Sequence, residues 1–171
     1  MKRYVFFTLI ISLLFFGCSK DEDSGDRIEG LIHFQLNGED VKYDFGVNGN
    51  DPPSEDIVHF VTVWGEGEPG HNGVRPNISF QLIHEHIQEG VTYTSADTEM
   101  LYSELTIPTS GGLREFSATN KGGSLKLTVT ELGHYGVKGT FSGTLTTGSY
   151  APPFTSITIT NGRFEAPYNY R

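Results

Sequence analysis

His84, Glu85 and His86 form the sharpest cluster of chemically able side chains in the sequence. On a β-strand, residues two apart point the same way. His84 and His86 would then share the face of Ile78, Phe80 and Leu82, at its end. Two imidazoles at the mouth of a sandwich or barrel can share a Zn²⁺ or Cu²⁺, with Glu89 or His59 as a third ligand. His84, His86 and Glu89 are therefore the candidate metal ligands, and a divalent metal is the one cofactor the sequence suggests. The competing reading, which the sequence favours, is a strand end where polar residues emerge into solvent and no cofactor binds.

Other chemistry is less well marked. Asp51, Glu55 and Asp56 cluster, as do Asp97 and Glu99, but no twelve-residue calcium loop is present, and solvated loops account for both groups. No G-x-S-x-G element supplies a nucleophile, and Thr109-Ser110-Gly111-Gly112 reads as a turn. Carboxylates are plentiful, yet no pair is singled out for glycoside cleavage. Aromatic rings in loops offer flat apolar faces with polar handles. Tyr150, Tyr168 and Tyr170 are the candidates for contacting a ligand such as a sugar. Trp64 borders a loop but is expected to end a buried strand and pack in the core.

Cys18 is the only cysteine. It follows Lys2-Arg3, a thirteen-residue mostly apolar run from Tyr4 to Phe16, and a small Gly17. These are the three parts of an export signal, and the run falls short of the roughly 20 residues that span a bilayer. The arrangement resembles a bacterial lipoprotein signal: cleavage before Cys18, then acylation of its thiol by palmitate-like chains. One myristoyl chain binds a membrane only marginally, at ~0.8 kcal/mol per buried methylene. Several chains on Cys18 would hold the protein to the membrane for its lifetime. Ser19-Lys20-Asp21-Glu22-Asp23 then resembles the lysine-plus-acid tag that sends Bacteroidota lipoproteins to the outer leaflet of the outer membrane. The same charges also suit an extended, solvated tether.

Losing Lys2 and Arg3 with the signal leaves ten basic residues against 21 acidic ones, a formal charge of −11. That disfavours nucleic acid, whose binding needs Lys and Arg to displace counterions, and electrostatic docking on anionic lipid. Without a second cysteine the mature domain has no disulfide and must be held by core burial. Its length exceeds the 70–80 residues below which such domains usually need staples. The expected division is a signal peptide over 1–17, lipidated Cys18 and tether over 18–28, and one domain over 29–171.

Twenty-one glycines, eight tyrosines and twelve phenylalanines favour strands over helices. Ile32-x-Phe34-x-Leu36 and Val41-x-Tyr43-x-Phe45 flank Asn37-Gly38-Glu39-Asp40 as a hairpin. Loops are expected at 46–55 and 65–76. Ile57 to Trp64 is apolar on both faces, as in a strand covered on both sides. Asn77 to Ile87 is a strand. Ser95 to Leu105 reads either as a short capped helix or as a loop into a strand. Further strands are expected around Leu101–Ile107, Phe116, Leu125–Val129 and Ile157–Phe164. Tyr135–Thr146 is also expected to be a strand, one that Gly139 and Gly143 let bend or lie beneath another layer. Asn161-Gly162 suggests a bulge. Nine or ten short strands imply an all-β domain, a single β-sandwich, with a β-barrel as the alternative.

The segments Gly123–Thr130, Val137–Leu145 with its G-T-F, and Ile157–Phe164 with its I-T-N-G-x-F resemble a group of small Bacteroidota surface lipoproteins of unknown function. The likeness covers about half of the mature chain. It implies location and fold, and carries no catalytic residue. Together these readings describe a protein anchored in the outer membrane through Cys18 and exposed at the cell surface. It would be a non-enzymatic module for a glycan or protein ligand. The alternative is a metal-binding protein or metal-dependent enzyme centred on His84 and His86.

Overall fold

The computed structural model describes residues 28–50, 52–54, 56–70, 72–96, 101–110, 112–119, 122–147 and 155–169. Cys18, the signal and tether residues before 28, Tyr150, Tyr170, Asp51, Glu55, Asp97 and Glu99 lie outside them. The described chain is all-β, with eleven strands. They are β1 (Leu31–Leu36), β2 (Glu39–Tyr43), β3 (Phe45–Gly49), β4 (Val58–Glu66), β5 (Asn77–Ile87), β6 (Thr92–Thr94), β7 (Leu101–Thr109), β8 (Gly112–Ala118), β9 (Ser124–Leu132), β10 (Gly136–Thr146) and β11 (Ser156–Pro167). Every pairing is antiparallel. Among the described residues no helix is long and apolar enough to cross a membrane.

One hydrogen-bonded path, β2-β1-β11-β10-β8-β7-β5-β4-β3, folds back on itself without closing, and β9 and β6 branch from β10. The two halves meet at a single pair, Thr146 with Ser117. One layer is therefore β2-β1-β11-β10-β9-β6 and the other β8-β7-β5-β4-β3. Period-two alternation supplies the core between them. Ile32, Phe34, Val129, Phe141, Ile159 and Phe164 face Val61, Val63, Ile78, Phe80, Leu82 and Leu105, all buried. The Phe80 ring sits 4.3 Å from Phe141 and 6.2 Å from Phe164, so the aromatic centre joins the layers. This is the β-sandwich, with one or two strands more than the sequence suggested.

The predicted bulge at Asn161-Gly162 is present. Gly139 faces inward beneath Phe164, its cross-strand partner. The β10–β11 register slips between Phe141 and Gly143, and Asn161 takes a left-handed φ of 53° there. Several local expectations are corrected. The region 45–49 is strand β3, because its backbone pairs with β4. Phe45 does not continue the alternation of Val41 and Tyr43. The chain breaks at Asp44, and the Phe45 ring stands in solvent with the Arg75 guanidinium 3.9 Å above it. From Leu101 the chain is strand β7, not helix, and it runs on through Pro108, which pairs with Leu113.

β4 is the most consequential correction. Val58, Val61 and Val63 are buried, but Phe60 remains 37% exposed and Trp64 is only half-buried. The strand is covered on one face. Its second set of apolar residues lies on the outer surface of the sandwich.

Candidate functional site

Cross-strand partners in a sheet project from the same face, so the register identifies what accompanies Trp64 and Phe60. Trp64 pairs with Ser79 of β5, Ser79 with Glu104 of β7, and Glu104 with Ser117 of β8. The next row is Thr62, Gln81 and Tyr102, and beyond it Phe60 pairs with Ile83. On the other side lies the row Glu66, Asn77, Thr106 and Glu115. The outer face of this layer thus presents three aromatic rings, Phe60, Trp64 and Tyr102. The same face carries hydroxyls, two amides and three carboxyl groups. From strand and residue spacings, the Trp64 and Tyr102 backbones stand ~12 Å apart diagonally, with small Ser79 and Gln81 as the floor. Across β3, Trp64 packs toward Gly46: a methyl group there would meet its ring at 2.9 Å.

The carboxyl groups are organised. Tyr102 donates its hydroxyl hydrogen bond to Glu104 Oε2. Glu115 sits diagonally across β7–β8 from Glu104 and hydrogen-bonds it. That bond raises the Glu115 pKa above the ordinary carboxylate value, repulsion from the Glu104 charge adds to the rise, and desolvation contributes least. Tyr102 is pushed upward as well, first by burial and then by its hydrogen bond to Glu104. The arrangement is a Tyr–Glu–Glu chain at the rim of an aromatic face.

The sequence-derived candidates fare differently. β5 does not run straight through the histidines. Val58 pairs with Ile87 and Phe60 with Ile83, so two steps on β4 match four on β5, and His84-Glu85-His86 forms a bulge. The alternation of Ile78, Phe80 and Leu82 shifts parity there, and Ile87 is the next buried residue. His84 Nδ1 lies 2.9 Å from His86 O and 3.1 Å from His86 N, so in either tautomer the main chain engages it. The His84 ring packs edge-on to buried Tyr93, whose hydroxyl accepts from Gln88 N–H and donates to His86 O. Glu89 Oε1 accepts from Leu132 N–H at 2.6 Å, which ties it to β9. Among the described residues no three His, Cys, Asp or Glu side chains come together as a metal-binding group. Tyr168 is 6% exposed and belongs to the core, so its ring has no free face for a ligand. Trp64 is the converse case, expected in the core and found on the outer face.

Sequence reasoning missed Phe60, Gln81, Tyr102, Glu104 and Glu115. The available signal was composition at alternate positions: T-x-W in β4, S-x-Q in β5 and Y-x-E in β7, where an ordinary solvated face carries Lys and Thr. Only the register assembles them. Compared with known proteins, the chain matches no family model, no curated protein and no solved structure.

Proposed function

We propose that the chain is a lipid-anchored protein of the outer membrane, held by acyl chains on Cys18 and exposed at the cell surface. In this reading its sandwich is a non-enzymatic binding module for a neutral glycan. The observation that carries the binding role is the aromatic set Phe60, Trp64 and Tyr102 on an open sheet face, in register with Thr62, Gln81 and Glu104. Sugar rings have apolar faces that stack on aromatic side chains and hydroxyl edges that need polar partners. A flat sheet supplies both at fixed spacing, without the cost of ordering loops. The proposed site is a sheet face, in place of the loop aromatics that the sequence suggested.

Anchoring is supported by the placement of the lone Cys18 after a short apolar run.

Trp64 is the only tryptophan, so its emission reports on this face alone. The full chain, purified in detergent, is titrated with neutral gluco-, xylo- and manno-oligosaccharides. At least one series should change the emission saturably, and Tyr102→Ala should weaken that binding by tenfold or more. A flat response to all three series from folded protein refutes the glycan reading. Labelled palmitate should enter the native chain and not Cys18→Ser; equal labelling refutes the anchor.

A further inference from the structure

The opposite outer face, on β6-β9-β10-β11, has a different character. It carries a shallow depression of about 740 Å³ whose lining includes Lys126, Arg163, Thr92, Thr128, Thr140 and Ser142. No carboxylate lines it, in a chain with 21 acidic and twelve basic residues. The other described cations are largely spent on neighbours. Lys42 pairs with Asp44 at 2.8 Å, Lys138 with Glu131 at 3.1 Å and Arg75 with Glu66 at 3.7 Å. Lys126 and Arg163 make no ion pair among the described residues. Arg114 is the one other cation in that position, and it lies outside the depression.

The register fixes how the two charges sit. Lys126 is opposite Ser142, and Arg163 is opposite Thr140, two residues along β10. Two strand spacings and two residue rises place their backbones ~12 Å apart, with the hydroxyls of Thr140 and Ser142 between. One side of the depression is braced by the neighbouring strand β1. Asn161, in its left-handed conformation at the β11 bulge, donates to Gln35 Oε1 at 2.8 Å, and Thr160 donates to the same oxygen at 3.3 Å. Thr92 and Thr128 close one side by bonding each other at 2.7 Å.

We propose that this depression binds an acidic polysaccharide, a sugar chain bearing carboxylate or sulfate groups, with Arg163 and Lys126 each receiving one anionic group and Thr140 and Ser142 bonding the sugar between them. A guanidinium takes a carboxylate or sulfate as a two-pronged donor, and an ammonium takes it as a point charge. The chain's overall negative charge does not forbid this. Its field is screened beyond about 8 Å at physiological salt, whereas the two cations act at contact distance. The site is independent of the Trp64 face, which lies on the other layer.

The test titrates the full chain, in detergent, with an oligogalacturonate and a heparin-derived octasaccharide, and titrates the Trp64→Ala chain with an uncharged gluco-oligosaccharide as control. Binding of at least one acidic probe is expected, weakened tenfold or more by raised salt. Lys126→Ala and Arg163→Ala should each weaken it at least fivefold, and Arg163→Lys should recover only part of the loss. Carboxylate against sulfate preference identifies the ligand's source. Thr140→Asp, which sets a like charge between the cations, gives a second readout should an alanine variant fail to fold. Trp64→Ala should leave the acidic probes unaffected. Failure of both acidic probes to bind, or binding that survives Lys126→Ala/Arg163→Ala and Thr140→Asp unchanged, overturns the proposal.

Discussion

Gly139 offers the most stringent check on how the layers meet. It lies in β10, the strand that pairs with β11, β9 and β8 and so carries both halves of the sandwich. A methyl group at this position would sit 2.4 Å from Phe164 Cζ and 2.5 Å from Thr128 O. Neither neighbour yields cheaply. The Phe164 ring is fully buried and packs 6.2 Å from Phe80 and 6.4 Å from Phe141, so moving it disturbs the aromatic centre. Thr128 O belongs to the backbone of β9, paired along its length with β10. Overpacking a core typically costs 1–3 kcal/mol. With ring and backbone both constrained, Gly139→Ala should lie at the upper end, ~3 kcal/mol, or roughly 10 °C in Tm for a domain of this size. Urea and thermal unfolding followed by circular dichroism measure it. Gly122→Ala is the control: its nearest neighbour is Thr146 Oγ1 at 3.4 Å, and its stability should move by less than about 0.5 kcal/mol. Combining Gly139→Ala with Phe164→Leu removes one of the two clashes, so the pair should cost less than the sum of the single changes. A Gly139→Ala protein melting within about 2 °C of the parent, or strict additivity in the double variant, would show that Phe164 does not lie over this glycine.

Three further outcomes follow from particular side chains. Ser103 is wholly buried between Phe80 and Ala118, and its Oγ has no hydrogen-bond partner among the described residues; Ser103→Ala should raise unfolding stability by about 1 kcal/mol, read by urea denaturation. Glu115 has a folded-state pKa above the ordinary 4.5, so its contribution is fully present below that value and is lost as pH rises through the folded pKa; Glu115→Gln should flatten this part of the Tm-versus-pH profile and raise Tm at neutral pH, and an unchanged profile refutes the raised pKa. His84→Ala removes the ring that engages the His86 main chain and packs on Tyr93, which should cost about 1 kcal/mol with or without chelator. A chelator-dependent loss of stability in the parent, abolished by His84→Ala, would favour the metal reading.

The strands were legible wherever alternation was clean. Asn77–Ile87 matches β5 at both ends, and the strand expected over Tyr135–Thr146 is β10, with Val137, Phe141 and Leu145 buried, because a period of two needs no partner to be recognised. The misreadings fall where a second strand decides. Apolar residues on both sides of β4 look the same in sequence whether the outer face is covered or open. The H-x-H pattern looks like two ligands on one face until pairing with Val58 and Phe60 converts it into a bulge. Tyr168 reads as a terminal loop aromatic and is a core residue, because Tyr168 N–H bonds Tyr135 O and carries the side chain inward.

By itself the sequence determined an acidic, disulfide-free, strand-rich domain, because charge, cysteine count and period-two alternation are properties of the chain taken residue by residue. The tertiary structure alone decided that Trp64, Gln81, Tyr102, Glu104 and Glu115 share one face, and that Lys126 and Arg163 share another. Those groupings depend on register across strands as far apart in the chain as β4 and β8, or β9 and β11. Nothing local encodes register of that kind; it is set by which inward-facing side chains fill the core together.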